Sequence, residues 1–188
     1  ATFESHWNDE EFEPYDINKL RQAIDRERCA TEDSSPIAFF DLHPYPFQQE
    51  ILEHLAAERQ MFQKKRQLIV AATGTGKTMI AAFDYKRFAE HERPNLLFIA
   101  HRRDILTQAL GTFRAVLRDQ NFGDLLTGRD KPSQDQHLFC MIQSYNSQGM
   151  DSLPRDHFRY VVVDEFHHSE AASYQRLLGH VQPALLLG

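Results

Sequence analysis

Leu68-Ile69-Val70-Ala71-Ala72-Thr73-Gly74-Thr75-Gly76-Lys77-Thr78 sets a short apolar run against a glycine-punctuated loop that ends in Lys-Thr. From residue 71 the stretch follows the phosphate-binding pattern G-x-x-x-x-G-K-[ST], with Ala71 in the place of the first glycine. The expected structure is a strand over 68–70 feeding a helix through a tight loop. Gly74 and Gly76 let the backbone turn and approach a ligand closely. The N–H groups of Thr73 to Thr78, at a helix N-terminus, then face phosphate oxygens. Lys77 neutralises the β- and γ-phosphates in this reading, and the Thr78 hydroxyl ligates Mg²⁺. ATP and Mg²⁺ are the ligands expected.

Tyr160-Val161-Val162-Val163-Asp164-Glu165-Phe166-His167-His168 supplies what the loop lacks. Its apolar, β-branched run suits a strand buried on both faces, so Asp164 and Glu165 emerge at the carboxyl end, where ligands sit in parallel sheets. Asp164 is expected to hold Mg²⁺ and Glu165 to polarise the water that attacks the γ-phosphate. Adjacent histidines beside two carboxylates invite a zinc reading, but the spacing opposes it. Neighbours on a helix diverge, whereas zinc helices of the H-E-x-x-H type put both rings on one face.

Strand and helix patterns alternate from residue 68 onward, which argues for parallel strands joined by crossover helices, an α/β fold. Pro46 opens a helix whose Ile51, Leu52, Leu55, Ala56 and Phe62 recur at helical spacing. After the loop, Ile80, Phe83 and Phe88 give a second helix its buried side. Ile105, Leu106, Ala109, Leu110, Phe113, Val116 and Leu117 form a third apolar stripe, with Asp104 near its start. Strands are expected over 96–100, 138–143, 161–164 and 184–187, and residues 121–136 as a long polar connection. Residues 1–41 read as an acidic connector in which Asp16 caps a short helix carrying Ile17, Leu20 and Ile24. Residues 42–188 make the ATP-binding domain.

With these motifs in place, Asp164-Glu165-Phe166-His167 resembles the D-E-x-H box of superfamily 2 helicases and translocases. Pro46-Phe47-Gln48-Gln49-Glu50 is similar to their glutamine motif, which makes Gln48 the adenine contact. Residues 98–108, with His101 and Arg102, resemble the first nucleic-acid-contacting motif, and Cys140-Met141-Ile142-Gln143-Ser144 a later one. The resemblance implies a P-loop NTPase with a RecA-like, mostly parallel sheet flanked by helices, and an ATP-driven motor on nucleic acid, with DNA favoured over RNA. It also places His167 at the gap between two motor domains. The narrower resemblance is to bacterial helicases akin to restriction-enzyme motor subunits with a phospholipase-D-like nuclease module, Phe12-Glu13-Pro14-Tyr15-Asp16 looking like the join. Leu185-Leu186-Leu187-Gly188 resembles the strand that leads to the coupling motif of this family. By that resemblance the coupling motif and a second RecA-like domain, with its arginine finger, lie outside the chain, which alone is expected to bind nucleotide weakly and hydrolyse it poorly.

Some residues keep two readings. Phe47 either stacks on adenine or anchors its helix, with Tyr45 structural, and Gln143 and Ser144 either touch phosphate or cap the following segment. The 188 residues, 41% hydrophobic and 26% charged, fit one folded α/β unit. A net charge of -6 argues against a polyanionic partner, but its distribution does not: residues 1–41 hold eleven acids and four bases, and the rest sixteen acids and seventeen bases. The cluster His101-Arg102-Arg103 is then either a solvated surface or a grip on a nucleic-acid backbone. No apolar run is long enough to span a membrane. Cys29 and Cys140 are expected as free thiols in a cytoplasmic protein. Two functions remain: a translocating motor, or an ATP-dependent switch that clamps nucleic acid without moving. A phosphate-loop kinase has no use for the D-E-x-H box or the glutamine motif.

Overall fold

The computed structural model describes residues 42–72, 74–90, 93–165 and 172–188. The chain divides into two units, Ala1–Ala38 and Phe39–Gly188, and the described residues all belong to the second. The connector helix, Cys29, Thr73 and His167 lie outside the described residues. In chain order the elements are α1 (Pro46–Phe62), β1 (Arg66–Gln67), α2 (Lys77–Phe88), β2 (Leu96–Ala100), α3 (Arg103–Leu117), β3 (Asp124–Leu126), β4 (His137–Met141), α4 (Ile142–Ser147), a 3-10 turn (Met150–Ser152), β5 (Tyr160–Val163), α5 (Ala172–His180) and β6 (Leu185–Leu187).

The strands form one parallel sheet in the order β1-β6-β5-β2-β4-β3. β2, β5 and β6 are buried at every position, as an unbroken apolar run with helices on both faces requires. Alternation sorts the side chains into two cores. Leu96, Phe98, Tyr160, Val162 and Leu185 face α1, α2 and α3, while Leu97, Ile99, Val161, Val163 and Leu186 face α4 and α5. The α3 stripe is as expected, with Leu106, Ala109, Leu110, Phe113 and Val116 buried and Ile105 and Leu117 packed at the margin. Cys140 is a buried free thiol, pushed up to about 12 by burial.

The strand expected over 68–70 forms two residues earlier. Backbone bonding does continue past β1, since the Ile69 N–H donates to the Gly188 carbonyl at 2.8 Å. Leu68 and Val70, however, are exposed, and the buried position in β1 belongs to Gln67. Three further expectations are corrected. The connection 121–136 contains β3, whose Leu125 and Leu126 enter opposite cores. The strand read as 138–143 stops at Met141, so Gln143 and Ser144 lie in the first turn of α4. Phe62, placed by periodicity on the buried side of α1, is solvent-exposed at the end of that helix.

A buried polar network locks the elements that carry the loop. Asp84 on α2 is almost fully buried and accepts from Arg59 Nη2 of α1 at 2.6 Å and from the Tyr160 hydroxyl of β5 at 2.5 Å. Arg59 Nε donates to Gln67 Oε1 at 2.6 Å, and Gln67 Nε2 to the Leu55 carbonyl at 3.0 Å. Asp84, Arg59, Tyr160 and Gln67 thus each meet a partner within this network. Burial, with the Asp84 charge beside it, holds the Tyr160 phenol well above its ordinary value.

Candidate nucleotide site

The glycine loop occupies the turn between β1 and α2. Gly74 and Gly76 have φ of 85° and 76°, a left-handed backbone that favours glycine. At Gly76 there is also no room, because a Cβ would lie 2.7 Å from Gln48 Nε2. Gln48 is buried in the first turn of α1. Its Oε1 accepts from the Tyr45 N–H at 3.0 Å and its Nε2 donates to the Thr75 carbonyl at 3.1 Å. The glutamine expected to read adenine therefore also ties α1 to the phosphate loop. The Thr75 hydroxyl donates to the Ala72 carbonyl at 2.8 Å, tightening the same turn.

Lys77 opens α2, and its Nζ donates to the Ala71 carbonyl at 3.0 Å. The loop's own backbone holds the ammonium close to where phosphate oxygens would be. Across the cleft β5 delivers Asp164 and Glu165. The Asp164 N–H donates to the Ile99 carbonyl at 2.9 Å, which carries the ladder with β2 one residue beyond the strand. Its Oδ1 accepts from the Glu165 N–H at 3.0 Å. Burial pushes the Asp164 carboxyl above its ordinary value, against the pull of that hydrogen bond and of the Lys77 and His101 charges. Glu165 has a left-handed φ of 53°. Its Oε2 lies 2.9 Å from His101 Nδ1.

Lys77, Thr78, Asp164 and Glu165 line one cleft of about 460 Å³ at the carboxyl ends of β1, β5 and β6. That is the size of a small-molecule site, and the place where parallel sheets bind ligands. Sequence reasoning missed Tyr174 on α5. It is buried, its hydroxyl has no hydrogen-bond partner among the described residues, and burial, with the Glu165 and Asp164 charges adding, holds it above its ordinary value. No local motif marks it, because the packing of α5 on the sheet brings it near the carboxylates. Phe47 is half-exposed and stacks on exposed Tyr45, rings 6° from parallel with centroids 6.2 Å apart. Neither ring is buried in the core; Tyr45 holds the N-cap position of α1, with its N–H bonded to Gln48.

The residues expected to touch nucleic acid divide. Arg102 caps the start of α3 with its side chain 64% exposed, 3.4 Å from Asp104. Gln143 is exposed on α4, two residues beyond the register pair Ala100 and Met141, just as Arg102 is. Ser144 is buried beside Ile142 and Tyr145, so its hydroxyl offers no surface for a phosphate, and it does not cap α4 either. Arg103 is held by Asp130, its Nε and Nη2 at 3.0 and 3.4 Å from the two carboxylate oxygens.

The family described as Type III restriction enzyme, res subunit, matches residues 41–188. The chain belongs to that family. In this res-subunit family it carries the first RecA-like domain of a superfamily 2 helicase, a helicase-type motor domain of ATP-hydrolysing enzymes. It is 27% identical over 145 residues to a Schizosaccharomyces pombe protein assigned as the mitochondrial ATP-dependent helicase irc3, covering 75% of this chain and 23% of that one. Among solved structures it resembles the UvsW helicase of bacteriophage T4, with a TM-score of 0.62 and 16% identity over 89% of this chain and 58% of that one. It also resembles the Type ISP restriction-modification enzyme LlaGI, with a TM-score of 0.57 and 16% identity over 78% of this chain and 17% of that one. At such identity the solved structures speak for the fold. The res-subunit domain thus spans only a minor part of the helicase irc3.

Proposed function

We propose that the whole protein is an ATP-driven DNA translocase or helicase, and that residues 42–188 are the domain that binds and cleaves ATP. The observation that carries this reading is the convergence of Lys77, Thr78, Asp164 and Glu165 on one cleft at the carboxyl end of a parallel sheet. The glycine loop from Thr73 to Gly76 wraps the phosphates, and Lys77 moves from the Ala71 carbonyl to the phosphate oxygens. Gln48 reads the adenine edge, with Phe47 stacking on the ring beside it. Glu165 orients the water that attacks the γ-phosphate and takes its proton, giving ADP and phosphate. Thr78 and Asp164 offer the hard oxygen ligands that suit Mg²⁺, an ion that is bound through few protein groups and neutralises developing phosphate charge. Asp164, lifted by burial against the pull of the Lys77 and His101 charges, fits such a ligand.

Arg102 and Gln143, exposed at the ends of neighbouring strands, serve as contacts to a nucleic-acid backbone. DNA is favoured over RNA because the Type ISP relatives LlaGI and LlaBIII were solved with a DNA substrate mimic and bound to DNA. A second RecA-like domain supplies the arginine that stabilises the transition-state charge, and His167 relays the γ-phosphate state to it. A nuclease module precedes the motor.

The test is ATP turnover by the intact protein, wild type and Glu165→Gln, alone and with single-stranded DNA, duplex DNA or RNA. Strong stimulation by DNA that disappears in the variant is the expected outcome. Equal turnover with every polymer would favour the clamping switch, and full turnover by the variant would remove Glu165 from the chemistry.

A further inference from the structure

The end of β2 stands between the two functions assigned above, and register puts it there. β2 lies between β5 and β4 in the sheet; Ile99 pairs with Val163 and Ala100 with Met141. One residue further on, His101 leans toward the β5 side and reaches Glu165, with Nδ1 2.9 Å from Oε2. One residue beyond that, Arg102 is in line with Gln143 on the β4 side. The imidazole approaches the carboxylate off the line of a hydrogen bond, so a small rotation of either side chain aligns an N–H with the oxygen. Both side chains are about one-third exposed, at 33% and 37%. Water screens such a rim contact, so its use is orientation of the carboxylate and not stabilisation of the fold.

The contact with His101 bears on how the Glu165 carboxylate is oriented. Glu165 sits past the last ladder bond of β5, on a left-handed backbone, and its carboxylate can turn about several single bonds. A base that orients water must be held to a fraction of an ångström. His101 offers an N–H at Nδ1 when its ring is charged, or when it is neutral with the proton on Nδ1.

We infer that His101 is a positioning residue for Glu165, and that it ties the nucleic-acid-contacting segment to ATP cleavage. His101 and Arg102 are neighbours in one strand-to-helix turn, the first against Glu165 and the second open to solvent. A polyanion that draws on Arg102 moves the backbone that carries His101, and so sets the angle of the imidazole against Glu165. His101 thereby leaves the set of direct nucleic-acid contacts in which its motif placed it. The inference rests on Glu165 being the water-orienting base.

The experiment uses the intact protein with His101→Ala, His101→Asn and Glu165→Gln, reading DNA-stimulated kcat, the KM for ATP and DNA affinity by fluorescence anisotropy. His101→Ala is expected to lower stimulated kcat about 10- to 100-fold, the usual cost of losing a group that orients a catalytic one. KM and DNA affinity should stay within about 2-fold, since neither ligand loses a contact. His101→Asn, whose amide nitrogen stands near the place of Nδ1, should recover most of the rate. Should the alanine variant melt early, His101→Leu, which fills the same space without a donor, reads the same quantity. Wild-type kcat in the donor-free variants overturns the inference, as does a loss confined to DNA affinity. If Glu165→Gln keeps full turnover, the reading of the base fails, and His101 falls with it. If Glu165→Gln is inactive while His101→Ala turns over normally, the positioning role alone fails.

Discussion

At Gly76 two independent demands fall on one missing atom. The backbone is left-handed, which costs an L-residue about 1–2 kcal/mol, and the space for a Cβ is taken by the Gln48 amide. Gly76→Ala must displace Gln48 from the Thr75 carbonyl, so the loop and the start of α1 shift together. We expect a modest loss of stability in denaturant and a fall of about tenfold or more in affinity for a non-hydrolysable ATP analogue, equivalent to about 1.4 kcal/mol or more. Unchanged affinity with lowered stability would reduce the Gln48 contact to a structural one. The left-handed glycines at 74 and 76 and the meeting of Lys77, Thr78, Asp164 and Glu165 at one cleft are legible in the sequence because they follow from local spacing and side-chain chemistry. The sequence hid the partners of Gln48 and His101, which arise from register and loop path between distant residues. Ser144 is buried in the first turn of α4, a place hidden for a related reason: the pattern around Met141 permits both the end of a strand and the start of a helix.

Between elements, the network centred on Asp84 fastens α1, α2, β1 and β5, the four pieces that carry Gln48, the loop and the acidic pair. Asp84→Asn keeps the shape and removes the charge, leaving Arg59 with half its support and only 18% of its side chain in water. Breaking a buried pair in this way costs about 3–5 kcal/mol, and the lower end applies because Arg59 can reach solvent. Equilibrium unfolding in urea should show a loss of about 3 kcal/mol with an unchanged slope; a loss under about 1 kcal/mol would mean that apolar packing alone sets these elements. Strands read most plainly where both faces are apolar, as in β2, β5 and β6. β1 escaped because its buried residue is Gln67, chosen to bond Arg59 and the Leu55 carbonyl and not for its hydropathy. β3 escaped because three residues at the edge of a sheet, set among polar turns, carry too little periodicity to be read.

For the whole molecule, the proposed nucleic-acid partner has to be reconciled with a net charge of -6. The excess of acid lies in residues 1–41, and the remainder is close to neutral, so a local cluster has to dominate. Arg102 and Arg103 are adjacent in sequence yet differ in availability. Arg102 projects into solvent with one loose partner in Asp104. Arg103 is gripped through two nitrogens by Asp130, which the Thr127 hydroxyl also bonds at 2.6 Å; this pairing raises Arg103 and lowers Asp130 relative to their ordinary values. A phosphate must compete with Asp130 for Arg103 but finds Arg102 open. Each arginine that neutralises a phosphate releases counterions and steepens the fall of affinity with salt. For the intact protein on DNA, Arg102→Ala should therefore flatten the slope of log affinity against log salt by about 1, with ATP affinity unchanged, while Arg103→Ala should change it by much less. Equal slopes in wild type and Arg102→Ala would return the cluster to a solvated surface. A larger effect from Arg103 would mean that DNA breaks the pair with Asp130, making the turn at residues 127–130 part of the grip.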